Sequence, residues 1–173
     1  RPELVSGCPN VVLTPNKVEF DRIRERVLKP DDKDPPPDAI REAKELVDVC
    51  RALGGVTIIR KGRRDLVSDG TVVLACVEPG CPRRCGGIGD VLAGSAGVLA
   101  IWASRLADAD LAARGANDTE IAARPVVFAA YAATVLARRS ARAAYAQKRR
   151  AMLASDVLSS VGGAFEGMLA SSR

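Results

Sequence analysis

Apolar positions along the chain alternate between short β-branched runs and longer stretches spaced three and four residues apart. Val11 to Leu13 is a short apolar run ended by Thr14-Pro15-Asn16, which predicts a strand and a turn. Phe20, Ile23 and Val27 then recur like one face of a helix over Glu19 to Leu28. Lys29 to Asp38, rich in Pro and Asp, reads as a solvated connection. A second helix starts at Pro37-Asp38, with Ile40, Ala43, Leu46, Val47 and Cys50 on its buried side, and stops at Gly54-Gly55. Val56-Thr57-Ile58-Ile59 predicts a buried parallel strand ended by Lys61-Gly62. Asp65 to Ser68 and Thr71 to Ala75 predict two short strands around an Asp69-Gly70 turn. Beyond a glycine-rich turn lies a helix from about Asp90 to Leu106, then a loop over Ala107 to Glu120. Alanine-rich helix fills most of Ile121 to Gln147. A last amphipathic helix carries Val157, Val161, Phe165 and Met168, capped by Ser155 or Asp156. Strands alternating with helices indicate an α/β fold with a mostly parallel sheet, incomplete on its N-terminal side.

A length of 173 residues suits one domain with a sizeable core. A charged content of 27% against 47% hydrophobic reads as globular rather than disordered. The longest apolar stretch, Val91 to Ala103, falls short of the ~18 residues that a membrane span needs, so no membrane partner is expected. The first residue is Arg1 rather than Met, with no targeting segment in view, so a missing upstream part is expected.

Histidine is absent, which excludes Ser–His triads, His-rich zinc sites and histidine acid–base pairs. Chemistry must run on Asp, Glu, Lys, Arg, backbone dipoles and added metal ions. Cys8, Cys50, Cys76, Cys81 and Cys85 have no metal-knuckle spacing and read as reduced thiols. That places the chain in a reducing compartment, either the cytoplasm or an organelle such as a mitochondrion or plastid. The net charge of +5 suits a polyanionic small molecule as well as nucleic acid. Arg138, Arg139, Arg142, Lys148, Arg149 and Arg150 form a basic cluster. With one Trp, two Tyr and three Phe in all, it lacks aromatic interleaving and reads as a solvated helix face, so no nucleic-acid partner is expected.

Arg83-Arg84-Cys85-Gly86-Gly87-Ile88-Gly89-Asp90 is the most informative stretch. Glycines let several backbone N–H groups converge beside the positive end of the following helix. A carboxylate at that spot makes sense beside a hydroxyl about to attack phosphorus, which is the layout of a phosphoryl-transfer site. The same residues also read as a glycine-rich helix start capped by Asp90. Gly94 and Gly97 predict close packing of this helix. There is no G-x-x-x-x-G-K-[ST], and Leu92 stands where a dinucleotide fingerprint wants Gly or Ala. Lys61-Gly62-Arg63-Arg64-Asp65 lies at the carboxyl end of the buried strand, where α/β proteins bind ligands, and reads either as phosphate-binding or as a solvated basic hairpin. Asn16-Lys17-Val18-Glu19-Phe20-Asp21-Arg22 follows the first strand in the same way, and helix capping explains Asn16 and Glu19 equally well.

In this order the three blocks resemble the ATP-dependent NAD(P)H-hydrate dehydratases of the ribokinase-like superfamily. The Pro82-Arg83-Arg84-Cys85-Gly86-Gly87 form is similar to eukaryotic members. The resemblance implies a three-layer ribokinase-like fold, with residues 1–173 as the C-terminal part of a single domain. It implies ATP-dependent dehydration of (S)-NAD(P)HX, the hydrated cofactor, by phosphorylation of the ring hydroxyl and loss of phosphate. Asn16, Lys17, Val18, Glu19, Phe20, Asp21 and Arg22 would contact the hydrated dinucleotide. Lys61, Gly62, Arg63, Arg64, Asp65, Gly80, Cys81, Pro82, Arg83, Arg84, Cys85, Gly86, Gly87, Ile88 and Gly89 would line the ATP site. Asp90 would be catalytic and touch the substrate, accepting the hydroxyl proton. Mg²⁺ would be held by the phosphates and water, not by a protein metal site. A ribokinase-like small-molecule kinase and a non-catalytic nucleotide-binding fragment are the alternative readings. The oligomeric state is left open.

Overall fold

The computed structural model describes residues 1–29, 38–114 and 124–170. β1 (Val12–Leu13) leads through Thr14-Pro15-Asn16 into α1 (Lys17–Val27), and α2 (Asp38–Ala52) precedes β2 (Thr57–Arg60). β3 (Asp65–Ser68) and β4 (Val73–Cys76) form a hairpin. α3 (Ile88–Arg114), α4 (Pro125–Lys148), α5 (Ala154–Ser159) and α6 (Val161–Ala170) complete the order.

The sheet runs β1-β2-β3-β4. β1 and β2 are parallel, with Val12 opposite Thr57 and Leu13 opposite Ile58. β2–β3 and β3–β4 are antiparallel. Among the described residues the sheet is therefore mixed, not mostly parallel, because the hairpin is appended to a single parallel pair. The hairpin loop spans 69–72 rather than two residues, since Ser68 pairs with Val73. Its shape is set by Asp69 Oδ1, which accepts the N–H groups of Thr71 (2.8 Å) and Val72 (3.2 Å).

Side chains alternate across a strand, so the β-branched run of β2 feeds two cores. Ile58 packs with Phe20, Leu46, Val49, Cys50, Leu53 and Leu66 on the α1–α2 side. Ile59 packs with Val67, Leu92, Ala96, Val127, Ala130 and Ala133 on the α3–α4 side. Helix, sheet and helix make three layers, as the resemblance implies. Leu46 and Cys50 lie on the buried stripe of α2 as expected, whereas Ile40 is 63% exposed. Burial pushes the Cys50 thiol up to about 12, and its Sγ donates to Ser68 O at 3.3 Å.

Several expectations are corrected. The loop expected from Ala107 is helical as far as Arg114, and the rest of that expectation lies outside the described residues. So does most of the Lys29 to Asp38 connection. Gly94 and Gly97 face open space, so they do not serve close packing. Ile88–Asp108 is long and apolar enough, by length and composition alone, to cross a membrane. The shorter stretch counted from sequence had missed this. The last helix is broken at Ser160, whose N–H is shared by Asp156 O and Val157 O. Asp156 does not cap α5 from outside. It sits in the first turn and accepts the Leu153 N–H at 2.8 Å.

Candidate active site

Parallel strands place their carboxyl ends on one edge of the sheet, where α/β folds build their sites. β1 delivers Asn16 there and β2 delivers Lys61. The Lys61 N–H faces Pro15 O at 3.5 Å, so the two strand ends are neighbours. The glycine-rich turn comes to the same corner: a Cβ on Gly89 would lie 3.5 Å from Lys61 Nζ.

Gly87 makes the turn possible. Its φ is +91°, and a Cβ there would lie 2.7 Å from Ala154 Cβ. Its carbonyl accepts the N–H groups of Asp90 (3.1 Å) and Val91 (3.2 Å), which starts α3. The other N–H groups of this first turn have no helical acceptor by construction. Asp90 is exposed in that turn, and no side-chain partner holds it among the described residues.

Electrostatically the corner is unbalanced. The N-terminus of a 27-residue helix carries partial positive charge. Lys61 adds a whole positive charge beside it, and no ion pair answers Lys61 among the described residues. Asp90 in the same turn offsets part of this charge, and what remains favours an anion beside Lys61.

The remaining expected residues divide into surface and support. Lys17, Val18, Arg22, Gly62, Arg63, Arg64, Gly80, Pro82, Arg84 and Gly86 are exposed, with Arg64 on a separate cleft between α2 and β3–β4. Asn16 and Glu19 form a capping box: Asn16 Oδ1 accepts the Glu19 N–H (3.0 Å) and Glu19 Oε2 accepts the Asn16 N–H (2.7 Å). Asp21 pairs with Lys17 at 3.1 Å.

Other side chains of the expected set point inward. Phe20 is fully buried beneath the Arg60 guanidinium, 4.6 Å from the ring centre. Both Asp65 oxygens are engaged, by the Gly62 N–H (2.9 Å) and by Arg138 Nε (2.7 Å). Cys81, Cys85 and Ile88 pack on a small core of Ala141, Ala144, Met152 and Val157 beneath the turn. Arg83 Nε donates to Met152 O at 3.0 Å.

Sequence reasoning missed Arg138, taken as part of a solvated face. Its side chain is 15% exposed and ties α4 to the Lys61–Asp65 turn. The signal was spacing: Val127, Ala130, Thr134, Arg138 and Ala141 share one helical stripe, so position 138 faces inward. An open apolar cleft of about 590 Å³ lies elsewhere, between α2 and β3–β4, lined by Ile40, Ala43, Val47, Leu66, Val73 and Ala75. Lys44, Asp48, Arg51 and Arg64 also line it, with Lys44 and Asp48 paired at 2.8 Å and Arg51 Nε donating to Gly70 O at 2.6 Å.

Among the described residues no three acidic or cysteine side chains converge to hold a metal ion.

The family model described as NAD(P)H-hydrate dehydratase matches residues 5–161. Three similar relatives carry the name ATP-dependent (S)-NAD(P)H-hydrate dehydratase. The protein of Ixodes scapularis is 40% identical over 95% of this chain and 51% of its own length. That of Rattus norvegicus is 39% identical over 95% of this chain and 44% of its own. That of Homo sapiens is 38% identical over the same shares. The chain spans about half the length of the curated relatives it matches. The three blocks of residues, the three-layer fold and the match over residues 5–161 lead to one assignment: this chain belongs to the NAD(P)H-hydrate dehydratase family.

Proposed function

We propose that this chain carries the phosphoryl-transfer corner of an ATP-dependent (S)-NAD(P)H-hydrate dehydratase. Residues 1–173 then form the C-terminal part of one ribokinase-like domain. The observation that carries the reading is the meeting of Lys61 with the first turn of α3 at Gly89. A bound polyanion suits that meeting of Lys61 with a helix N-terminus, and ATP is the polyanion named by the relatives.

In this reading Lys61 meets the nucleotide phosphates as a point charge. The N–H groups of Gly87 to Gly89 face the transferred phosphoryl group and stabilise its charge. Asp90, exposed and unengaged in the same turn, accepts the proton of the substrate hydroxyl as that oxygen attacks the γ-phosphorus. Phosphate then leaves as the ring nitrogen's lone pair breaks the C–O bond, and loss of the proton from the neighbouring ring carbon forms the C=C bond of NADH or NADPH. A Mg²⁺ ion would be held by the phosphates and water and would supply charge neutralisation there. All five cysteines are free, which supports work in a reducing compartment.

The test is recovery of reduced-nicotinamide absorbance from (S)-NADHX with ATP and Mg²⁺. Asp90→Asn is expected to keep ATP affinity while slowing turnover by ~10²–10⁴-fold. Unchanged turnover would remove Asp90 from the role of base. A stable phosphoester without dehydration would instead make the protein a kinase.

A further inference from the structure

Arg138 touches more of the candidate site's framework than any residue named from sequence. Its Nε donates to Asp65 Oδ2 at 2.7 Å and its Nη1 to Glu78 O at 3.1 Å. Its Nη2 donates to Gly62 O (3.1 Å) and Arg63 O (3.0 Å). A Cβ on Gly80 would lie 3.5 Å from Nη1, so the β4–α3 linker runs directly against the guanidinium. Arg139 and Arg142 close on the Glu78 carboxylate at 3.1 and 3.3 Å, holding the same linker by its side chain. A solvated surface charge needs none of this. Three carbonyls and a carboxylate converge around a planar fork, the geometry that guanidinium serves and ammonium does not.

The two segments so joined lead to the two halves of the phosphate corner. Gly62 and Arg63 directly follow Lys61, and Glu78 to Gly80 lead into the glycine-rich turn. We propose that Arg138 is a positioning residue of the nucleotide site. It fixes the separation of these segments so that Lys61 Nζ meets the first turn of α3. This rests on the nucleotide reading above and adds a residue to it.

The experiment uses the chain as it stands with Arg138→Lys and Arg138→Gln. Arg124→Gln serves as comparator, since it breaks the Asp69 bridge at the far end of β3. ATP affinity is read by calorimetric titration in Mg²⁺, and hydrogen exchange is read without nucleotide over peptides covering 61–66 and 77–86. Both Arg138 variants are expected to bind ATP about tenfold or more weakly. Both peptides should exchange faster together, while Arg124→Gln loses thermal stability with ATP affinity within about twofold. If the unsubstituted chain binds ATP and Arg138→Gln binds it equally well, the positioning role is overturned and the nucleotide reading stands. If the unsubstituted chain binds no ATP, both fall. Faster exchange in only one of the two peptides would also overturn the role, because a clamp must release both.

Discussion

At the scale of single residues, Gly87 decides whether the turn can exist. A side chain there meets a left-handed backbone at φ +91° and the methyl of Ala154 at 2.7 Å. Gly87→Ala is therefore expected to cost about 1–3 kcal/mol of stability. Only the steric share of that loss can be relieved, so Gly87→Ala with Ala154→Gly should recover part of it. Denaturant unfolding of the three variants checks this, and full recovery would show that the backbone conformation carries no strain. The glycine-rich turn that opens α3 was legible in the sequence because turn chemistry is local. The burial of Phe20 followed from its place on the apolar face of α1, but that of Asp65, Cys81, Cys85 and Ile88 did not. Their types fit a site as well as a core, and only tertiary packing turns them inward.

At the scale of elements, α1 shows one pair of residues explained by folding alone. The Asn16–Glu19 capping box satisfies the start of the helix without any ligand. Asn16→Ala should lower stability by ~1 kcal/mol, read from the midpoint of thermal or urea unfolding. If Asn16 also meets the hydrated dinucleotide, KM rises in addition; a stability loss with KM unchanged would confine it to capping. Element positions were legible where periodicity was strong, as in α1, α2 and β2. The end of α3 was not, because Ala, Asp and Leu after Leu106 continue a helix as readily as they leave it. The antiparallel hairpin was foreseen, yet its weight in a four-stranded sheet was not, since a buried run such as Val56 to Ile59 looks alike beside either kind of neighbour.

At the scale of the whole molecule, Asp69 links the hairpin loop to the start of α4 through Arg124 at 2.5 Å. Burial pushes this carboxyl up, but the Thr71 N–H, Arg124 and the Val72 N–H outweigh it and hold it below the usual carboxylate range. A carboxyl depressed by folding adds stability above its unfolded value of about 3.9, and the gain is lost as pH falls through the folded value. Asp69→Asn should thus be less stable than the unsubstituted chain near neutrality, with the gap closing as acid is added. Urea midpoints for both proteins across that range check it. A gap independent of pH would mean that charge plays no part.

The two aspartate–arginine bridges have a geometric consequence when taken together. Asp65 and Asp69 stand at opposite ends of β3, and each holds one arginine, Arg138 or Arg124, associated with the same helix. Two fastened points define a line, so α4 can neither swivel on the sheet nor slide along it. Fourteen residues of helix rise roughly 21 Å while the strand between its aspartates spans only about 13 Å, so the arginines lean inward like guy ropes. α3 packs on α4 more extensively than any other pair of elements pack, so the strut fixes the helix that opens at the phosphate corner as well.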